Sequence, residues 1–114
     1  MELVEQVVAE KVRVLAVIPH PEDRDSLHDI FSGSNWQLES VGCHEEAACV
    51  LRETLFPVVL CEDRLPDGDW RNVLECVRDL DCPPHLVVLT GWPGDLGIWA
   101  EVLHLGGYDV LVKP

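Results

Sequence analysis

Four charged or hydroxyl-bearing residues stand at the ends of short apolar runs. Glu62 and Asp63 follow the run that ends at Cys61, Thr90 closes a second run, and Lys113 follows a third. A carboxylate, a hydroxyl group and an ammonium group can bind one another through charge-assisted hydrogen bonds. These side chains can cooperate only if the elements that carry them bring the ends of the runs together.

The apolar runs have the composition of strands in a parallel sheet. They are rich in Val, Leu and Ile and lack polar alternation, which is typical of strands that are buried on both faces. They comprise Val12–Ile18, Pro57–Cys61, Leu86–Thr90 and Tyr108–Val112. A fifth segment, Trp36–Val41, alternates more clearly and is predicted to be an edge strand.

Between the strands, apolar residues recur at helical spacing. This pattern predicts helices over Glu22–Phe31, His44–Leu55, Trp70–Leu80 and Asp95–Leu105. The order βαβαβαβαβ predicts a parallel sheet with right-handed crossovers and with helices on both faces. Functional groups in such sheets lie beyond the carboxyl ends of the strands. The sequence therefore predicts a site at that edge.

Composition limits the partners and the compartment. The chain has 114 residues, the usual size of one domain. Its 21 acidic and 8 basic residues give a formal net charge of -13, which disfavours nucleic acids and anionic membranes as partners. The five cysteines form no CxxC pair and their number is odd, which favours reduced thiols in a cytoplasmic protein. No apolar run approaches the length of a membrane span.

The two ends of the chain depart from a standard doubly wound sheet. Residues 1–11 are predicted to form an extra helical segment with one apolar stripe. The stripe consists of Leu3, Val4, Val7 and Val8. The chain stops soon after the fifth strand, which would leave a sheet face bare. Two interpretations follow: residues 12–114 are one domain of a longer protein that continues beyond Pro114, or Glu2–Glu10 covers the bare face, in the same chain or in a second copy.

Four segments together resemble the receiver domain of response regulators. They are V-L-A-V-I-P-H-P-E-D-R, V-V-L-C-E-D-R-L-P-D-G-D, L-V-V-L-T-G and G-G-Y-D-V-L-V-K-P, and the resemblance covers about Arg13 to Pro114. It implies an α/β, flavodoxin-like (CheY-like) doubly wound fold with a five-stranded parallel sheet in the order 2-1-3-4-5, here without the family's last helix. It also implies a signalling module of phosphorelay pathways rather than an enzyme, with no cofactor.

The family's acidic pair is missing from this sequence. In the family an aspartate attacks an acyl or histidyl phosphate with help from a divalent cation, which the pair holds and which neutralises charge on the phosphoryl oxygens. The pair aligns with Ile18 and Pro19, or after a shift of one residue with Pro19 and His20. Glu22 and Asp23 are an alternative source of ligands, although acids in a first helical turn commonly interact with the helix dipole. The departure predicts that no metal binds here.

The family's phosphoacceptor aspartate aligns with Glu62, four residues before Pro66. The glutamate carboxylate reaches about 1.5 Å further than that of aspartate, which spoils the geometry for attack. We expect Lys113 to pair with Glu62, and Thr90 to donate a hydrogen bond to the same carboxylate. Asp63 should face away if the strand persists that far, and it is the alternative acceptor if the chain has already turned.

Aromatic residues near the fourth helix form the candidate interaction face. Trp92 and Trp99 flank this helix, a docking surface in the family, and Tyr108 is the third member of the face. Trp99 is also a candidate core residue. Trp70 stands where the family has a glycine. A changed loop is therefore predicted over Asp67–Trp70, because tryptophan does not readily adopt a positive φ.

Three hypotheses about function follow. The first is a phosphorylation-independent protein-interaction or dimerisation module with Glu62 in place of the acceptor, whose partner is another protein, an output domain or a second copy. The second is a phosphorylatable receiver that uses Asp63 or an unusual metal site. The third, a small flavodoxin-like cofactor-binding protein, is disfavoured because no strand is followed by a glycine-rich phosphate cradle such as GxGxxG.

Overall fold

Strands and helices alternate in the order that the sequence predicts. A computed structural model describes residues 12–91 and 96–112; the predicted helix Glu2–Glu10, Trp92 and Lys113 lie outside them. The elements are β1 (Val12–Val17), α1 (Pro21–Phe31), β2 (Trp36–Val41), α2 (His44–Glu53), β3 (Val58–Glu62), β4 (Arg64–Leu65), β5 (Gly68–Asp69), α3 (Trp70–Arg78), β6 (His85–Thr90), α4 (Leu96–Leu105) and β7 (Asp109–Val112).

The five long strands form one parallel sheet in the order β2-β1-β3-β6-β7. Numbered among themselves, these strands follow the order 2-1-3-4-5, so the predicted topology is confirmed. The register pairs Val17 with Cys61 and Cys61 with Val88, which brings the carboxyl ends of β1, β3 and β6 level with one another. The strands therefore carry the candidate residues to one edge of the sheet.

Three helices pack on one face of the sheet, here called the closed face. Alternate strand residues point to opposite faces, and Val59, Cys61 and Val88 point to this one. They form a single buried cluster with residues of α2, α3 and α4, including Trp70 and Val102. The closed face thus holds the larger core.

The opposite face, here called the open face, has a smaller core. Its buried residues are Val14, Ala16, Ile18, Leu60 and Leu89. Leu27 and Phe31 of α1 pack against them, and within the described residues α1 is the only helix on this face. None of the 11 residues of α1 is fully buried.

A small hairpin between β3 and α3 was not predicted from the sequence. Its strands β4 and β5 are antiparallel, with Arg64 opposite Asp69 and Leu65 opposite Gly68. Leu65 joins the core of the closed face. The hairpin thereby anchors the loop that follows the carboxyl end of β3.

Asp69 begins α3 with a reciprocal cap. Its side chain accepts a hydrogen bond from Arg71 N at 2.9 Å, and the Asn72 side chain accepts one from Asp69 N at 3.0 Å. Trp70 starts the helix without a positive φ. The positive φ of this loop belongs to Gly68, where a Cβ would lie 2.2 Å from Asn72 Oδ1. In the described parts of the chain, no helix is long and apolar enough to cross a membrane.

Candidate functional site

The carboxyl edge of the sheet carries a buried acid near its centre. Glu62 is the last residue of β3 and is 5% exposed. Val17 of β1 pairs with Cys61 of β3. The residues that follow them, Ile18 and Glu62, therefore lie level with one another at this edge. The aligned positions of the acidic pair and of the acceptor are therefore neighbours in space.

The loop after β1 is held by an arginine. Ile18 is buried in the core of the open face. Arg24 of α1 donates from Nε to the carbonyl oxygen of Ile18 at 2.7 Å and from Nη2 to that of Pro19 at 3.0 Å. These bonds satisfy two carbonyl groups at the strand end and place a permanent positive charge beside the edge.

The described residues do not fit the divalent cation that the resemblance implies. Mg²⁺ prefers several oxygen ligands in octahedral geometry, and the side chains of Ile18 and Pro19 offer none. No three His, Cys, Asp or Glu side chains within residues 12–91 and 96–112 form a group that could hold a metal ion. Glu22 and Asp23 lie in the first turn of α1, where acids interact favourably with the helix dipole.

Thr90 binds a different acid from the predicted one. The backbone N–H of Asp63 donates to the carbonyl oxygen of Leu89 at 2.9 Å, but β3 ends at Glu62 and the chain bends at Asp63. At this bend the Asp63 side chain meets Thr90, whose Oγ1 donates to Asp63 Oδ2 at 3.2 Å. This corrects the predicted bond from Thr90 to Glu62, because the chain has already turned at Asp63. Lys113 lies outside the described residues, so its pairing with Glu62 stays a prediction.

Cys61 is a buried thiol beneath this edge. It belongs to the core of the closed face. Burial raises the pKa of the Cys61 thiol, and the negative charges of Glu62, Asp69 and Asp63 raise it further. The thiol is therefore protonated, and its Sγ donates to the carbonyl oxygen of Glu62 at 3.2 Å. A cysteine within an apolar run is typical of a small core residue, and Cys61 is fully buried.

Asp67 ties the loop after β3 to the start of α2. Its carboxylate accepts hydrogen bonds from the backbone N–H groups of His44 at 3.0 Å and Glu45 at 3.2 Å. It caps the helix from 23 residues away along the chain, and the side chain of Cys43 at the N-cap makes no hydrogen bond to the helix backbone. Desolvation favours the neutral acid, but the two N–H groups and the nearby His44 ring outweigh it and lower the pKa of Asp67.

Comparisons with known proteins find solved structures of similar fold. No family model matches the chain, and no curated protein matches it either. Chemotaxis protein CheY4 of Vibrio cholerae superposes with a TM-score of 0.83 at 19% identity, over 91% of this chain and 88% of that chain. The CheY-like receiver domain protein of Methanospirillum hungatei gives 0.81 at 22% identity, over 92% and 83%. The beryllofluoride-activated NtrC4 receiver domain dimer gives 0.80 at 24%, over 90% and 84%.

The chain has the receiver-domain fold. Because all three identities are below 25%, the likeness establishes the architecture, and the activity has to be argued from the residues of the site. At the carboxyl edge of this receiver fold, Ile18 and Pro19 follow β1, Glu62 ends β3, and Thr90 ends β6.

Within the receiver fold, Arg71 links α3 to α4. Its guanidinium lies 4.8 Å from the centroid of the buried Trp70 ring. Its Nε donates to Glu101 Oε2 at 3.0 Å, Nη2 donates to Glu101 Oε1, and Nη1 donates to Asp69 Oδ2 at 2.9 Å. The sequence singled out Trp70 but not this network, because Glu101 lies 30 residues from Arg71.

Only part of the predicted interaction face lies among the described residues of the receiver fold. Trp92 lies outside the described residues, and only the backbone of Trp99, in α4, is described. Tyr108 is 61% exposed, and its ring centroid lies 4.5 Å from that of His85. Tyr108 lines a groove on the open face, whereas α4 packs on the closed face through Val102. The grouping of these three aromatic residues into one face stays a prediction.

Proposed function

We propose that this chain is an atypical response-regulator receiver domain, which acts in phosphorelay signalling as a protein-interaction module without being phosphorylated. In this proposal it is not an enzyme and it works in the cytoplasm. The observation that carries the proposal is the pair of hydrogen bonds from Arg24 to the carbonyl groups of Ile18 and Pro19. A guanidinium group is bound at the strand end where a conventional receiver needs cation-binding acids.

The charge at this strand end opposes phosphoryl transfer. Negative charge spreads over the phosphoryl oxygens during transfer, and a divalent cation has to neutralise it. The carbonyl oxygens of Ile18 and Pro19 already accept hydrogen bonds from Arg24, and a guanidinium repels a second cation a few ångströms away. Arginine stays protonated at any physiological pH. The arrangement therefore supports a carboxyl edge of the sheet whose charge is not changed by phosphorylation.

Glu62 supports a module that needs no modification. It is a buried carboxylate at the position that aligns with the acceptor. Its carboxylate extends about 1.5 Å further than that of an aspartate, towards the position a phosphoryl group would take. In this proposal the Glu62 carboxylate supplies part of the negative charge that a conventional receiver gains only on phosphorylation.

Intact-mass analysis after incubation with acetyl phosphate and Mg²⁺ tests the proposal. We expect the mass of the chain to stay unchanged, while a conventional receiver domain in the same solution gains one phosphoryl group. Glu62→Asp is the matched variant, since it restores the length of the acceptor but not the missing ligands. It should also stay unmodified. A phosphoryl group on the original chain would contradict the proposal, and one on Glu62→Asp alone would contradict the role given to the β1 loop.

A second candidate function is a phosphorylatable receiver that uses Asp63. The observation in its favour is the hydrogen bond from Thr90 Oγ1 to Asp63 Oδ2 at 3.2 Å, because in the family a hydroxyl group at this strand end binds the phosphoryl oxygens. Asp63 is partly exposed and could meet a phosphodonor. If a mass gain is found, Asp63→Asn should abolish it and Glu62→Gln should leave it. The opposite result would remove this candidate.

We propose a protein partner, an output domain or a second copy as the binding partner. The NtrC4 neighbour is described as a receiver domain dimer, which makes self-association the first case to test. Sedimentation velocity across a wide concentration range measures it directly. A chain that stays monomeric at every concentration would leave only other proteins as partners.

A further inference from the structure

An apolar groove lies on the open face of the sheet. It has a volume of about 580 Å³. Its floor consists of Val58, Leu60, Val87 and Leu89, which belong to β3 and β6. Helix α1 flanks it through Leu27 and Phe31. The groove therefore lies over the centre of the sheet, beside the one described helix on this face.

Large apolar side chains around the groove are exposed to water. Ile30 is 70% exposed, Leu111 50% and Trp36 43%, and Tyr108 is exposed as well. All four line the groove. Soluble proteins seldom leave apolar residues clustered around one concave surface without a function or a cover. The groove is therefore expected to be filled by a partner of matching size and polarity.

We infer that the segment Glu2–Glu10 covers this groove in the same molecule, as an amphipathic helix antiparallel to the strands. At 100° per residue, Leu3, Val4, Val7 and Val8 share one stripe of such a helix. The opposite side carries Glu2, Glu5, Gln6 and Ala9. The segment thus offers the groove an apolar surface and offers water a polar one. This inference does not depend on the proposed function.

The place of the segment in the chain puts it beside the groove. β1 starts at Val12, directly after the segment, and parallel strands start at one edge of a sheet. Val58 and His85 start β3 and β6 at this same edge, and both line the groove. Strands lie about 4.8 Å apart, so the floor is one to two strand spacings from β1. One residue, Lys11, lies between the segment and β1, and the two extended steps from Glu10 to Val12 span roughly 7 Å, which covers the single strand spacing from β1 to β3.

The length of the segment matches the floor. A helix of nine residues is about 14 Å long, and a strand of five residues such as β3 is about 17 Å long. Each of the four described helices also runs into the following strand at the amino edge of the sheet. A helix that precedes β1 and lies over β3 and β6 would repeat this connection on the face that the described residues leave most open.

Nuclear Overhauser contacts in the complete chain of 114 residues test the inference. We expect contacts from the methyl groups of Val4 and Val8 to those of Leu60, Val87 and Leu111. A mixture of differently labelled copies distinguishes contacts within a molecule from contacts between molecules. Contacts seen only between copies would overturn the inference in favour of segment exchange. Random-coil shifts for residues 2–10, without such contacts, would overturn it altogether.

A pair of double variants tests the same contact without changing the groove. Val4→Asp with Val8→Asp charges the apolar stripe, whereas Gln6→Asp with Ala9→Asp adds the same charge to the polar side. The first pair should raise the fluorescence of a hydrophobic dye roughly threefold or more, because the groove becomes free to bind it. The second should leave it near the original value. Equal effects of the two pairs, or strong dye binding by the original chain, would overturn the inference.

Discussion

The two faces of the sheet are covered by helices to different extents. On the closed face, α3 and α4 contribute Trp70, Val73 and Val102, which are all fully buried. On the open face, α1 contributes no fully buried residue, and its Ile30 is mostly exposed. The stability of the described domain is therefore concentrated on the closed face, while the open face keeps apolar surface available for contact.

Two tryptophan substitutions test this difference with one residue type. Trp70→Ala on the closed face should lower the free energy of unfolding by about 3–5 kcal/mol, because it leaves a cavity in the core. Trp36→Ala on the open face should cost less, about 1–2 kcal/mol, because within the described residues that ring is still 43% exposed. Urea unfolding measures both. Similar losses at the two positions would break the comparison between the faces.

The predicted elements agree with the structure because strand composition and helical spacing are local signals. Trp36–Val41 is predicted and found as a strand, and the predicted strand Leu86–Thr90 gains only His85. The helix predicted to reach Leu55 ends at Glu53, since Thr54 is extended with φ of -136°. The hairpin of β4 and β5 was missed because two-residue strands are too short to show a periodicity.

Contacts within the site depend on tertiary structure that the sequence does not encode locally. Alignment of the motifs placed Ile18 and Glu62 at one edge, and the register confirms it. The partner of Thr90 depended on whether the chain turns at Asp63, and the structure has a bend there that brings Asp63 to Thr90. The cap that Asp67 provides joins segments 23 residues apart. No local sequence pattern predicts a hydrogen bond between segments so far apart.

Two arginine substitutions compare how helices are held on each face. Arg24→Gln removes the charge that holds α1 to the end of β1, and it should cost about 1–2 kcal/mol of unfolding free energy. Arg71→Gln on the closed face should cost about 0.2–1 kcal/mol, because its pairs with Glu101 and Asp69 are exposed to solvent.

Hydrogen exchange locates the effect of each arginine. Backbone amides of α1 should exchange faster in Arg24→Gln, whereas those of α3 should keep their rates, because α3 is anchored by its own buried residues. Unchanged exchange in α1 would mean that the packing of Leu27 and Phe31 alone holds the helix on the open face.

Low pH should weaken one contact on the closed face, the N-terminal cap that Asp67 provides for α2. Its pKa is lowered in the folded chain, so the ionised carboxylate stabilises the fold above the unfolded pKa of about 3.9. This contribution is lost as the pH falls through the lower, folded pKa. Asp67→Asn keeps an oxygen acceptor but does not titrate. The original chain should therefore be more stable than this variant at pH 7, by less than the effect of Arg24→Gln, and the difference should shrink below about pH 4.

Urea unfolding at pH 7, 5 and 3 measures how this difference changes, and Asp67→Ala is the control. Alanine removes both the charge and the acceptor, so it should be less stable than Asp67→Asn at every pH. If the difference between the original chain and Asp67→Asn stayed constant down to pH 3, the carboxylate would not be stabilised by its charge. The cap would then rest on the geometry of its oxygen atoms, and acid would leave the contrast between the two faces unchanged.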